Sequence, residues 1–156
     1  MIRGLTARSF LLALSSLGLT HGQALAQMQP PPAEMVDPGA TGRRIAEKGV
    51  LGNFYPAARA IRHPAVLLLG GSEGGLGSAA KREALALQAA GYNVLQLAYF
   101  RAPGYPQALA QIPLETFDRG LDWLKAQPAV NSQRLAILGS SKGAEAALLV
   151  ASRRPT

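Results

Sequence analysis

The chain contains no cysteine. That excludes a disulfide framework, a thiolate nucleophile and any zinc site built on cysteine, and it fits a compartment where stray thiols would oxidise. Histidine is confined to His21 and His63, a scarcity that bears on any chemistry needing an imidazole base. Acidic residues are few, nine against 16 basic, for a formal net charge of +7. Such an excess invites a nucleic-acid partner, but the basic residues come singly or in pairs: Arg43-Arg44, Lys81-Arg82, Arg153-Arg154. No basic run interleaves with aromatics, so the charge reads as a solvated surface and no nucleic-acid partner is expected. No internal repeat is present, and 156 residues suit a single domain.

Long apolar runs are also missing. Ser9 to Leu19 is too short to span a bilayer. With Arg3 and Arg8 around it and Ala24-Leu25-Ala26 after it, it has the parts of a secretory signal over residues 1–26, cleaved before Gln27. Loss of the two arginines would lower the formal charge from +7 to +5. The product is expected to be exported, periplasmic or secreted, and free of the membrane after cleavage. Residues 27–41, with Pro30-Pro31-Pro32, read as a proline-rich linker. The folded part is expected over 42–156.

From residue 49 the chain alternates strand and helix signals. Gly49 to Tyr55, ended by Pro56, suits an early edge strand. Ala65 to Leu69 is continuously apolar, the mark of a strand buried on both faces. Ser78 to Ala90 has helical spacing and ends at Gly91. Asn93 to Ala98 is the next strand, and Pro113 to Ala126 an amphipathic helix bearing Leu114, Phe117, Leu121 and Leu124 on one face. Leu135 to Leu138 and Ser141 to Ser152 complete a strand and a third helix. The expected class is α/β, a mostly parallel sheet with flanking helices.

Chemistry concentrates where the third of these buried strands meets its helix. Gly139-Ser140-Ser141-Lys142-Gly143 is G-x-S-x-G, with Ser141 in the nucleophile slot. A serine there must sit on a tight strand-to-helix turn so that its Oγ stands clear of the sheet, and bulk two residues to either side would strike backbone. The backbone N–H of Lys142 then faces a developing oxyanion. The plain alternative is a serine N-cap on an ordinary helix. Against it, Lys142 puts positive charge in the first helical turn, where the helix dipole disfavours it. The loop Gly70-Gly71-Ser72-Glu73-Gly74-Gly75 leaves the C-terminal end of the first buried strand, on the same sheet edge. The N–H of Ser72 or Glu73 could complete the oxyanion hole, or the loop could be an ordinary flexible turn. Neither G-x-x-x-x-G-K-S nor a correctly placed G-x-G-x-x-G occurs, so no nucleotide cofactor is expected, and no metal.

The ordered series GGSEGG, LAYF at Leu97 to Phe100, IPLETF at Ile112 to Phe117, GLDWL at Gly120 to Leu124, PAV at Pro128 to Val130 and RLAILGSSKGAEAALLVAS at Arg134 to Ser152 resembles the C-terminal catalytic domain of the acyl-CoA thioesterase and bile-acid-CoA:amino-acid N-acyltransferase family. The resemblance covers roughly residues 49–156, with a more distant likeness to dienelactone-hydrolase-type esterases. It implies an α/β-hydrolase fold, a nucleophile–histidine–acid triad, an oxyanion hole, and an acyl ester or thioester as the small-molecule substrate. By position Ser141 is the nucleophile, the Lys142 N–H and the Gly71 to Glu73 loop form the oxyanion hole, and serine points to hydrolysis more than to transfer onto an amine. Family members often carry an additional N-terminal β-rich domain, where this chain has its signal and linker.

One departure stands out. The triad on this fold runs Ser, Asp or Glu, then His along the chain, yet after Ser141 the only acid is Glu145, one turn along the same helix, and no histidine follows. His63 precedes a five-residue strand that spans about 16 Å, whereas a base works at about 3 Å. The chain is therefore expected to be the N-terminal half of an α/β-hydrolase, truncated after the elbow, with LAIL as an exposed apolar edge and little activity by itself. The alternatives are a non-catalytic exported fragment, a half-domain that binds a ligand or partner, and an esterase assembled with a complementing chain.

Overall fold

The computed structural model describes residues 33–58 and 61–154; the signal expected over 1–26 lies outside them. Five strands form one mixed sheet in the order β1-β2-β4-β3-β5. β1 (Arg43–Glu47) and β2 (Val50–Tyr55) form a hairpin closed by Lys48 and Gly49, both at positive φ, the conformation whose twist suits a two-residue hairpin loop. β2 continues antiparallel onto β4 (Asn93–Leu97), and β3 (His63–Leu69) runs parallel to both β4 and β5 (Val130–Gly139). The expectation of a mostly parallel sheet thus holds for β3, β4 and β5, while the N-terminal pair makes the sheet mixed. β2 is internal, not an edge. The edge is β1, whose sequence RRIAE buries Ile45 alone.

The continuous apolarity of β3 has the expected cause, because both faces are covered. Leu68 packs with Tyr55, Val94, Ala80 and Ala84 on the side of α1 (Ser78–Ala89). Leu67 and Leu69 face α2 (Glu115–Lys125) and α3 (Lys142–Arg153) in the larger cluster with Phe117, Leu121, Leu124 and Val150. α1 ends in a Schellman motif: the N–H groups of Gly91 and Tyr92 donate to the carbonyls of Gln88 and Leu87, with Gly91 at φ 94°.

Part of the expected linker is tied to this core. Residues 33–38 run alongside Leu76: Val36 N–H donates to the Leu76 carbonyl, and Leu76 N–H donates to that of Glu34. Asn53 Nδ2 and Arg44 both donate to the Val36 carbonyl, and Pro38 is buried. Prolines that disfavour regular structure do not prevent main-chain pairing from the residues that follow them.

Candidate active site

β5 ends at Gly139 and α3 begins at Lys142, so only Ser140 and Ser141 make the turn. Ser141 adopts φ 51°, ψ −118°, a left-handed geometry that a residue with a side chain adopts only under strain, costing about 1–3 kcal/mol. Its two flanking glycines are required by space. A Cβ on Gly139 would strike the backbone of Gly143, and one on Gly143 would strike the carbonyls of Leu69 and Gly70. Ser140 N–H is tied to the Leu69 carbonyl at 3.1 Å, and Gly143 N–H to the Ser140 carbonyl at 2.8 Å. The strained serine is therefore braced by β3 on one side and by the first turn of α3 on the other.

Ser141 is exposed and makes no side-chain cap hydrogen bond, so it does not behave as an N-cap. The Lys142 N–H, first of the helix, has no acceptor among the described residues. The Lys142 ammonium is held away by the Glu145 carboxylate, at 2.8 and 3.0 Å from its two oxygens. That pairing accounts for the positive charge in the first turn without assigning it a role.

The glycine-rich loop lies beside the elbow, as its place on the sheet edge predicts. A Cβ on Gly71 would sit 3.3 Å from Ser141 Cβ and 3.4 Å from the Ser140 carbonyl oxygen. Gly71 is thus the loop residue pressed against the serine. Ser72 and Glu73 are exposed in the turn closed by Gly74 N–H on the Gly71 carbonyl, and their N–H groups have no acceptor among the described residues. The Glu73 side chain folds back so that its carboxylate accepts the Gly71 N–H at 3.0 Å. This contact, and a buried tyrosine at the end of β4, were not singled out by the sequence. The Tyr99 hydroxyl donates to the Gly70 carbonyl at 2.7 Å.

His63 is at the other end. It pairs with Val130 at the start of β5, whereas Leu69 pairs with Gly139. At about 3.3 Å per residue the strand alone separates it from the elbow by about 20 Å. No described histidine, aspartate or glutamate is paired with the Ser141 hydroxyl. Among the described residues no group of three or more metal-ligating side chains comes together.

The profile of the family described as BAAT / acyl-CoA thioester hydrolase C terminal matches residues 112–156, the stretch running from before α2 through the elbow and α3. The match supports a hydrolase lineage. Its full-length relatives include acyl-coenzyme A amino acid N-acyltransferase 1 of Mus musculus, 31% identical over 74% of this chain and 27% of that protein. Acyl-coenzyme A thioesterase 6 of Homo sapiens is 37% identical over 57% of this chain and 20% of that protein. The chain thus spans about a quarter of the length of the curated relatives it matches. Among solved structures, a dienelactone hydrolase-like promiscuous phosphotriesterase from metagenomic libraries superposes with TM-score 0.62 at 21% identity, over 72% of this chain and 54% of that one. A Pyrobaculum calidifontis esterase superposes with TM-score 0.55 at 21% identity, over 84% of this chain and 43% of that one. At these identities the likeness is one of fold, and that fold is the α/β-hydrolase.

Proposed function

We propose that this chain carries the nucleophile and oxyanion hole of an exported serine hydrolase of the acyl-CoA thioesterase type. The observation that carries the reading is the backbone of Ser141, held at positive φ between two glycines that have no room for a side chain. Strain of this kind persists only where the surroundings enforce it, and at a strand-to-helix turn it lifts Oγ to where a substrate can reach it. Ser141 Oγ adds to the carbonyl carbon of an acyl thioester or ester while its proton passes to a base. The Lys142 N–H and the Gly71–Glu73 loop carry the oxyanion. Collapse expels the thiol or alcohol, which takes up the proton, and water then cleaves the acyl-serine ester by the same route.

The base and its orienting acid have to come from beyond the described residues, since His63 is at the far end of β3. With the described groups alone the reaction is slow or absent, because the oxyanion hole supplies only a small part of what an intact triad does. Labelling with a fluorophosphonate, read by intact mass, tests the reading. One adduct, formed slowly, is expected on the chain and none on Ser141→Ala; an adduct that survives the substitution overturns it.

The free edge of β5 favours a second reading, in which the chain is a half-domain that acts through a complementing chain. Among the described residues β5 pairs only with β3, Leu138 is 37% exposed, and Leu148 and Leu149 on α3 are 74% and 55% exposed. A groove of about 770 Å³ runs between them, lined by Leu135, Ile137, Ala144 and Ala147 among others. Under this reading the labelled species is a complex, and labelling is restored by a partner that brings a histidine. A purified chain that labels at full rate as a monomer removes this reading.

A further inference from the structure

We propose that Tyr99 is a positioning residue for the oxyanion hole: by holding the Gly70 carbonyl, its hydroxyl fixes the plane of the Gly70–Gly71 peptide beside Ser141. The inference rests on reading Ser141 as the nucleophile. It starts from a weakness in the loop. Gly70 and Gly71 both lack a side chain, so the peptide between them is free to rotate into orientations that other residues resist. The peptide unit itself is planar and trans, so its carbonyl and N–H point in opposite directions. Whatever holds the Gly70 carbonyl therefore also aims the Gly71 N–H, and Gly71 is the loop residue packed against Ser141, its hypothetical Cβ 3.3 Å from that of the serine.

Tyr99 is built to hold that carbonyl. It follows β4 directly, is 3% exposed, and packs its ring against Phe100 and Phe117 with centroids 5.0 and 5.3 Å away. The ring has little freedom to swing, and its hydroxyl donates to the Gly70 carbonyl at 2.7 Å, with that of Gly71 at 3.5 Å. The Gly70 carbonyl is also the group that leaves no space for a Cβ on Gly143, so the same oxygen is fixed against the base of the elbow helix. Burial first, then the charges of Glu73 and Glu145, push the phenol up to about 12, so it remains a donor at every ordinary pH. On the other side of the peptide, the Gly71 N–H donates to the Glu73 carboxylate, so the same peptide plane also sets how the Ser72–Glu73 turn folds back.

The test is Tyr99→Phe in the full chain, which keeps the ring and removes the donor. Two quantities are read: the fluorophosphonate reaction at Ser141, separated into its limiting rate and half-saturating concentration, and hydrogen exchange of the Gly71 amide by NMR. The limiting rate is expected to fall about tenfold, a fraction of the loss when an oxyanion donor is deleted, with half-saturation unchanged. Gly71 exchange should rise by about the same factor. Phe117→Leu, which loosens the ring packing but keeps the hydroxyl, should lower the melting temperature and leave Gly71 exchange within about twofold. Unchanged exchange in Tyr99→Phe, or an equal rise in Phe117→Leu, overturns the proposal. If the unsubstituted chain labels neither alone nor with a partner that brings a histidine, the nucleophile reading has failed, and Gly71 exchange still decides whether Tyr99 orients the loop.

Discussion

The two ends of the parallel strands are finished in opposite ways. At the N-terminal end, Asn93 closes the sheet. Its Oδ1 accepts the Ala57 N–H at 3.0 Å, and its Nδ2 donates to the Ala129 carbonyl at 2.9 Å and the His63 carbonyl at 3.3 Å. One buried side chain thereby ties β4 to the start of β3 and to the chain entering β5. At the C-terminal end β3 and β5 run into glycine, and the N–H groups of Ser72, Glu73 and Lys142 have no acceptor among the described residues. One end spends its polar groups on the fold. The other keeps donors open around a strained serine. At the first end Asn93 is fully engaged, although His63 Nε2 beside it is buried without a partner among the described residues; at the second, exposed donors left open beside a strained serine can bind charge.

Substitutions at the two ends should separate along that line. The largest contrast is in reactivity. Ser141→Ala should eliminate covalent labelling, while His63→Ala should leave its rate within about twofold, since the base must reach about 3 Å from the serine. A His63 substitution that abolished labelling would erase the difference between the ends. In stability, Gly143→Ala should be the most damaging, at roughly 3 kcal/mol or more, because its methyl has only the Leu69 and Gly70 backbone to displace. A denaturant midpoint close to the unsubstituted protein's would show that the elbow is slack. Asn93→Ala should cost about 1–2 kcal/mol by leaving the Ala57 N–H without a partner, while the Ala129 carbonyl keeps the His63 N–H, with labelling unaffected.

The smallest effect is in alkali. The Tyr99 phenol titrates higher in the folded chain than in the unfolded one, so the folded state keeps its proton where the unfolded state loses it. Its contribution is complete below about pH 10 and falls away as pH rises through about 12. Tyr55 is raised by burial as well and adds a fall of the same sign. Tyr99→Phe should therefore lose stability less steeply than the unsubstituted protein above pH 10, as urea unfolding at stepped pH would show.

Much of this was legible in the sequence, and the reasons for the exceptions are physical. The run from Ala65 to Leu69 announced a strand covered on both faces, and the spacing of Leu114, Phe117, Leu121 and Leu124 announced α2. β1 escaped notice because an edge strand needs to bury only one face, and RRIAE does so with Ile45 alone. Without a signal for β1, the sequence pattern makes β2 the edge and the sheet mostly parallel. The stretch at 33–38 looked like a tether because its stabilising bonds are main-chain bonds, which carry no side-chain signature. At the site, the spacing of Gly139, Ser141 and Gly143 located the turn. The proximity of Gly71 agrees with the shared edge. What Tyr99 does was hidden, because a tyrosine after a buried strand satisfies the hydrophobic pattern whether or not its hydroxyl has work.

The positive φ of Ser141 also sets the direction in which sequence drift would be rewarded. Glycine adopts that backbone without strain, so Ser141→Gly would relax the turn and leave the folded chain about 1 kcal/mol more stable. On the proposed reading of Ser141 as the nucleophile, stability and chemistry pull apart here, and a lineage released from catalysis would find its easiest gain at the residue that bears the reacting oxygen.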